Sequence, residues 1–202
     1  SEPGIQVSHR LGRRARARRW PALAFAVAVI ALTASSAWAA TWQGFAELVM
    51  DASTGQVLHE RDADQMRPPA SLTKLMTLYL IFEAVTQKRI TFQTRWAVSE
   101  KAANEPPTKL GLYNFDYITV RDVVLGLITR SANDAAVVAA EGLAGSVDRF
   151  AQTMTRKARE LGMSRTNFEN ASGLPNEDQV TTARRSEEHT SELQSRFGIS
   201  YA

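Results

Sequence analysis

Two serines stand at spacings that suit nucleophilic catalysis. Ser71 precedes Lys74 by three residues, so within one helical turn the lysine amine can face the serine hydroxyl and take its proton. Further along the chain, Ser131 is followed two positions later by Asn133. These residue types at these spacings predict an acyl-enzyme mechanism. In it Ser71 is the nucleophile and Lys74 the general base, while Ser131 is a proton relay and Asn133 a substrate-binding residue. The backbone N–H of Ser71 is expected to be half of an oxyanion hole.

A structural alternative exists for the first pair, in which Ser71 only caps a helix and Lys74 is a solvated residue of its first turn. A cation is unfavourable at a helix N-terminus, and this misfit favours the catalytic interpretation. Residues 72–85 are apolar on nearly all sides, which is typical of a helix in the middle of a core. Ser71 is then expected at its N-terminus, where the helix dipole and free N–H groups favour a developing alkoxide.

The other elements are predicted from apolar periodicity bounded by caps, glycines and turns. They are strands over 46–50 and 56–60 joined by a turn over 51–55, helices over 120–130, 134–144 and 146–161, and a turn-rich loop over 170–175. Thr119 and Asp122 form a capping box for the helix that leads into the Ser131 loop. His59 is expected on the polar side of the second strand.

Charge and composition exclude several classes of function. The chain carries a net charge of +3, and residues 1–39 alone contribute +5 from six Arg and one Glu, which leaves −2 for the remainder. Nucleic-acid binding therefore has no support. Cysteine is absent and His59 is the one histidine in the expected domain, which disfavours a disulfide framework, a zinc site and a Ser-His-Asp triad. Neither a metal nor a cofactor is expected.

Residues 1–39 are predicted to be a secretory signal peptide. An arginine-rich start precedes an almost wholly apolar stretch over 21–34, and Ala37 and Ala39 have the positions of an export cleavage site. The alternative is a transmembrane anchor, which needs about 20 apolar residues, more than this stretch supplies. The protein is therefore expected to be exported to the periplasm.

The last part of the chain has a different character. The run from Arg185 to Ser195 resembles the translation of a common short-read sequencing adapter, and it interrupts a segment that begins like a helix at Thr181 and Thr182. We expect residues 185–202 to be foreign to the native protein. Residues 40–184 are long enough for one small domain.

Six short segments of the chain match one family pattern. They are Met50-Asp51-x-x-Thr54-Gly55, Pro69-Ala70-Ser71-Leu72-Thr73-Lys74-Leu75-Met76-Thr77, Lys109-Leu110-Gly111-Leu112, Ser131-Ala132-Asn133-Asp134-Ala135-Ala136, Leu161-Gly162-Met163 and Ala171-Ser172-Gly173-Leu174-Pro175. On these residues the stretch from Ala46 to Arg184 resembles the D-alanyl-D-alanine carboxypeptidases, which are low-molecular-mass penicillin-binding proteins.

The resemblance implies an α/β (α+β) fold of the β-lactamase/transpeptidase-like type, with the active site between an antiparallel sheet and a helical subdomain. It implies removal of the terminal D-Ala from peptidoglycan pentapeptides, and acylation by β-lactams. The expected partners are a stem peptide ending in D-Ala-D-Ala and β-lactam antibiotics. Membrane association is expected only through a C-terminal region that the family carries beyond the residues matched here.

The chain departs from the family pattern at two points. The family's third motif, Lys-Thr-Gly, does not occur, and Lys109-Leu110-Gly111 is no substitute because it precedes Ser131. The third motif and the later strands follow Arg184 in the family, so residues 40–184 are expected to be an incomplete catalytic domain without activity of its own. Residues 113–116 replace the family's usual Pro-Gly turn.

Three alternatives stay open from the sequence. A D,D-endopeptidase that cuts cross-links would share every visible motif. A class A-like β-lactamase would need a downstream glutamate to activate water, and Glu169 is the candidate. The third alternative is an inert fragment without enzymatic function.

The signal-peptide assignment predicts a mature chain that begins at Ala40. Mass spectrometry of the secreted protein should find Ala40 at the N-terminus, because small residues at 37 and 39 direct cleavage there. Secreted protein that retains residues 1–39 would contradict the assignment.

Overall fold

Residues 44–185 are described by a computed structural model, and the elements within them surround one buried helix. In chain order they are strands β1 (Glu47–Met50) and β2 (Val57–Arg61), a 3-10 turn (Ala70–Leu72), helix α1 (Thr73–Thr86), strand β3 (Arg95–Ala97), helix α2 (Glu100–Ala103), strand β4 (Tyr117–Thr119), and helices α3 (Val120–Arg130), α4 (Asn133–Ala144) and α5 (Val147–Glu160). The predicted signal peptide and, beyond Arg185, the predicted foreign tail lie outside the described residues.

Helix α1 lies at the centre of the core, as its uniformly apolar sequence predicts. Met76, Tyr79 and Ile81 are fully buried, and the helix packs against α3, α4 and α5. The predicted start at residue 72 differs by one position because Ala70–Leu72 form a tighter 3-10 turn before the α-helix begins. Such turns are common at helix ends.

The three later helices begin and end close to the predicted residues. The backbone N–H of Asp122 donates to Thr119 Oγ1 over 3.1 Å, and the Thr119 hydroxyl donates to Asp122 Oδ2, so the predicted capping box is present. Ser146 caps α5 by accepting from the N–H of Arg149. Gly145 ends α4 with a φ of +78°, a conformation that a residue without Cβ adopts freely.

Two separate antiparallel pairs of strands accompany the helices. β1 and β2 form the predicted hairpin, in which Val49 lies opposite His59, and His59 is exposed beside Glu47. In the connecting turn the side chain of Asp51 accepts hydrogen bonds from Ser53 and Thr54, which lower its pKa to about 2. These elements confirm the α+β class.

β3 and β4, which the sequence analysis did not identify, form the second pair. Each has three residues, too few to display the alternation that marks a strand. Their pairing places Trp96 and Ile118 in the core beside α4. None of the helices within residues 44–185 combines the length and apolar character needed to cross a membrane.

The end of the described segment contacts its beginning. Arg67 and Thr181 form an antiparallel bridge through both backbone hydrogen bonds. The Arg184 guanidinium contacts the carboxylates of Glu60 (2.6 Å) and Asp64 (3.1 Å). The chain up to Arg184 is therefore packed against β2 and the segment that follows it.

The capping box allows a direct test with two threonines of the same helix region. Thr119→Ala removes the cap of α3 and should lower the free energy of unfolding by about 1 kcal/mol. Thr129→Ala is the control, because that hydroxyl donates only to the exposed Leu125 carbonyl and the change should stay within about 0.5 kcal/mol. Urea unfolding measures both, and equal losses would contradict the capping role.

Candidate active site

Ser71 lies at the surface, in the 3-10 turn that leads into α1. The residue before it, Ala70, has a φ of +47°, which is uncommon for a residue with a side chain. Strained backbone of this kind is found disproportionately at functional sites. The turn presents Ser71 to solvent while the next residues, from Thr73 onwards, enter the core.

Lys74 is buried, with 4 % of its surface exposed. Its Nζ donates to the backbone carbonyl oxygen of Ser172 over 2.5 Å. Burial lowers the pKa of Lys74 to about 8, because the charged amine loses hydration in the interior. A substantial fraction of the amine is therefore neutral at slightly alkaline pH, and a neutral amine can accept a proton from a hydroxyl.

The loop over 170–174 provides the carbonyl groups that contact α1. Besides Ser172, the carbonyl of Ala171 accepts from Thr77 Oγ1 over 2.8 Å. Gly173 lies so close to the turn before α1 that a Cβ there would overlap the carbonyl oxygen of Ala70. The sequence predicted this loop, but not its contact with the lysine.

Ser131 occupies the left-handed position that ends α3, with a φ of +50°. Its side chain is half-buried, and its carbonyl accepts from Thr108 Oγ1 over 3.1 Å. Like Ala70, it is a residue with a side chain in a conformation that favours glycine. A left-handed residue therefore occurs at Ser131 itself and directly before Ser71.

Asn133 begins α4 and is buried. The sequence analysis predicted it as a substrate-binding residue. In the structure its Nδ2 donates to the carbonyl of Pro106 over 3.0 Å, and its backbone N–H donates to Thr108. Within residues 44–185 no hydrogen bond joins the Ser71–Lys74 pair to the Ser131–Asn133 pair.

Asp134 fixes the backbone of the segment over 110–112, a role that the sequence analysis missed. Its fully buried carboxylate accepts from the backbone N–H groups of residues 110, 111, 112 and 135 at 2.8 to 3.2 Å. A buried carboxylate is tolerated when N–H donors surround it. The sequence signal was an aspartate directly after Asn133, at the start of a helix that is rich in Ala and Val.

The geometry supports nucleophilic chemistry at Ser71. An exposed hydroxyl precedes, by one turn, a buried amine whose neutral form is favoured by its surroundings. Across the described part of the chain no three His, Cys, Asp or Glu side chains lie close enough to hold a metal ion. A neutral amine next to a serine hydroxyl can activate the serine by taking its proton.

Comparison with known proteins identifies the family. The model of the D-alanyl-D-alanine carboxypeptidase family, peptidase S11, matches residues 33–187. The chain is 38 % identical to the D-alanyl-D-alanine carboxypeptidase DacD of Escherichia coli over 142 residues, which cover 67 % of this chain and 37 % of that protein. The chain belongs to the peptidase S11 family, as its motifs predicted.

Solved structures confirm the transpeptidase-like fold. The D-alanyl-D-alanine carboxypeptidase DacD of Francisella tularensis superimposes with a TM-score of 0.74 at 33 % identity, over 76 % of this chain and 37 % of that one. Penicillin-binding protein D2 of Listeria monocytogenes, in a cefotaxime-bound form, superimposes with a TM-score of 0.65 at 33 % identity. The match covers 74 % of this chain and 61 % of that one. The chain spans 35 to 37 % of the length of the curated carboxypeptidases it matches.

The open alternatives are less well supported. A D-alanyl-D-alanine endopeptidase of Escherichia coli is 29 % identical over 169 residues, which cover 81 % of this chain and 52 % of that protein. Its identity is lower than that of the carboxypeptidase DacD. Glu169, the candidate for a β-lactamase role, is exposed and accepts a hydrogen bond from Asn167 Nδ2.

The close approach of the loop to the turn predicts a large effect at Gly173. Both Gly173 (φ +86°) and Gly55 (φ +71°) have a left-handed conformation, so alanine at either position should cost about 1 kcal/mol of stability. Gly55 has open space around it, whereas a Cβ at Gly173 overlaps the Ala70 backbone. Gly173→Ala should therefore destabilise by at least about 2 kcal/mol more. Thermal unfolding compares the two variants, and equal losses would contradict the packing described.

Proposed function

We propose that the protein is a serine-type D-Ala-D-Ala carboxypeptidase that trims peptidoglycan pentapeptides through an acyl-enzyme. The observation that carries the proposal is the buried Lys74 amine, with a pKa of about 8, one helical turn after the exposed hydroxyl of Ser71. Membership of the S11 family supports the same assignment. Because the chain spans about a third of its curated relatives, the proposal concerns the whole protein to which it belongs.

The acylation step follows from the proposed roles. As Ser71 Oγ bonds to the carbonyl carbon of the penultimate D-Ala, its proton passes to Lys74 Nζ. The backbone N–H of Ser71 stabilises the oxyanion that forms. The C–N bond to the terminal D-Ala then breaks as the Ser131 hydroxyl gives its proton to the leaving nitrogen. Ser131 takes in its place the proton held by Lys74, so the amine is neutral again at the end of this step.

Hydrolysis completes the cycle. Water adds to the ester carbonyl while one of its protons passes to Lys74 Nζ. When the ester bond breaks, Lys74 returns that proton to Ser71 Oγ, and the shortened peptide leaves as a carboxylic acid. Asn133 is proposed to bind an amide carbonyl of the substrate. Its Nδ2 already donates to Pro106, so the second hydrogen of the amide group is the one free for substrate.

The same chemistry explains the proposed partners and location. A β-lactam carbonyl would acylate Ser71 as the peptide carbonyl does, and a relative of this chain is known in a cefotaxime-bound form. The substrate is a stem peptide that ends in D-Ala-D-Ala. Since peptidoglycan lies outside the cytoplasm, the predicted signal peptide agrees with a periplasmic location.

Substitution of the two central residues tests the proposal in the complete protein that contains this chain. Ser71→Ala should abolish both labelling by fluorescent penicillin and release of D-Ala from a peptide ending in D-Ala-D-Ala. Lys74→Met should slow acylation by about a hundredfold or more, the effect of losing a general base. Ser53→Ala, at an exposed turn, and Lys157→Met, at a partly buried ion pair, are the controls and should label normally.

The wild-type pH profile gives an independent readout. Because only the neutral amine accepts a proton, the acylation rate should rise with pH through the pKa of Lys74, about 8, and level off above it. A flat profile, or normal labelling of Ser71→Ala, would contradict the assignment. Rapid turnover of penicillin would indicate a β-lactamase instead. Cleavage of cross-linked dimers without release of terminal D-Ala would indicate an endopeptidase.

A further inference from the structure

The loop that contacts Lys74 is held by two side chains that have no part in the mechanism described above. We propose that Asn170 and Gln179 are positioning residues, which fix the loop over 170–174 so that the Ser172 carbonyl meets the Lys74 amine. The consequence for catalysis rests on the proposed function, whereas the placement of Lys74 can be measured without it.

Asn170 ties the loop together from inside. Its Oδ1 accepts from the backbone N–H groups of Ser172 (3.2 Å) and Gly173 (2.7 Å), and from the Ser172 hydroxyl (3.3 Å). Its Nδ2 donates to the carbonyl of Leu174 over 2.9 Å. With these N–H groups fixed towards Asn170, the orientation of the Ser172 residue within the loop is set.

Gln179 supports the loop from outside. It is buried, with 2 % of its surface exposed, although glutamine is usually a surface residue. Its Oε1 accepts from the N–H groups of Glu169 (3.1 Å) and Asn170 (3.0 Å), while its Nε2 donates to the Leu174 carbonyl (3.3 Å). One buried amide therefore holds both ends of the loop.

The held loop covers the start of α1 at three successive points. Ala171 contacts Thr77, Ser172 contacts Lys74, and Gly173 lies against Ala70. Ala171 and Ser172 are themselves buried, with 1 % and 3 % exposed. Displacement of this loop would let water reach the Lys74 amine and remove the carbonyl that fixes its position.

The charged side chains on the elements around Lys74 do not account for its lowered pKa. Burial is the cause of the lowered pKa of Lys74. The loop itself carries no ionisable side chain. Of the carboxylates on neighbouring elements, Glu83 pairs with Lys157, Asp134 is surrounded by backbone N–H groups, and Glu169 is bonded by Asn167.

The test compares two asparagines of the same segment. Asn170→Ala removes the hydrogen bonds inside the loop. Asn167→Ala is the matched control, because its Nδ2 donates to Glu169 and to the Asp178 carbonyl and not to the loop over 170–174. Gln179→Ala is a second, independent variant that reaches the loop from the other side.

Two readouts separate positioning from general destabilisation. NMR titration of the Lys74 amine should give a pKa near 8 in the wild type and in Asn167→Ala, and a value raised towards 10.5 in Asn170→Ala and Gln179→Ala. The midpoint of the acylation pH profile should move by the same amount. Each unit of increase lowers the neutral fraction at pH 7, and with it the acylation rate, about tenfold.

Each result has a defined meaning. If the Lys74 pKa and the pH midpoint stay unchanged in both loop variants while the wild type acylates, the positioning role is refuted. If the pKa moves as expected but the wild type does not acylate, Lys74 is positioned by this loop and the proposed function is refuted. If Asn170→Ala does not fold, Gln179→Ala and the milder Asn170→Ser, which keeps one acceptor, decide the question by the same titration.

Discussion

A single hydrogen bond, from the buried amine of Lys74 to the carbonyl oxygen of Ser172, joins the two parts of the chain on which the site depends. The two residues are 98 positions apart in the sequence. A lysine in the interior loses hydration and is destabilised in its charged form, so its burial requires an acceptor and favours deprotonation. Helix α1 must therefore be buried deeply enough to desolvate Lys74, and the loop over 170–174 must close over it.

The rest of the fold meets these two requirements. Helices α3, α4 and α5 surround α1 and bury it, while the 3-10 turn keeps Ser71 exposed at its start. The buried carboxylate of Asp134 accepts hydrogen bonds from several backbone N–H groups of the segment over 110–112. Asn170 binds backbone N–H groups of the loop near Lys74 in the same way. Both serine motifs are thus supported by a buried or half-buried side chain that fixes an irregular segment.

Elements with local signals were predictable from the sequence. The helix over 120–130 follows from Thr119 and Asp122, and its bounds in the structure are the predicted ones, because a capping box is a contact between near neighbours. β3 and β4 had no such signal, since three residues cannot show a period. The partner of Lys74 could not be predicted either, because it is a backbone carbonyl whose position depends on how Asn170 and Gln179 fold the loop. The partner of the Asn133 amide, Pro106, was likewise decided by tertiary packing.

The central claim is that burial of Lys74 makes the neighbouring Ser71 the nucleophile of this protein. Tandem mass spectrometry of the complete protein after reaction with benzylpenicillin tests it most directly, because the fragment ions locate the covalent adduct on one residue. We predict a penicilloyl ester on Ser71 Oγ and an unmodified Ser131. An adduct on Ser131, or on any other residue in place of Ser71, would contradict the account.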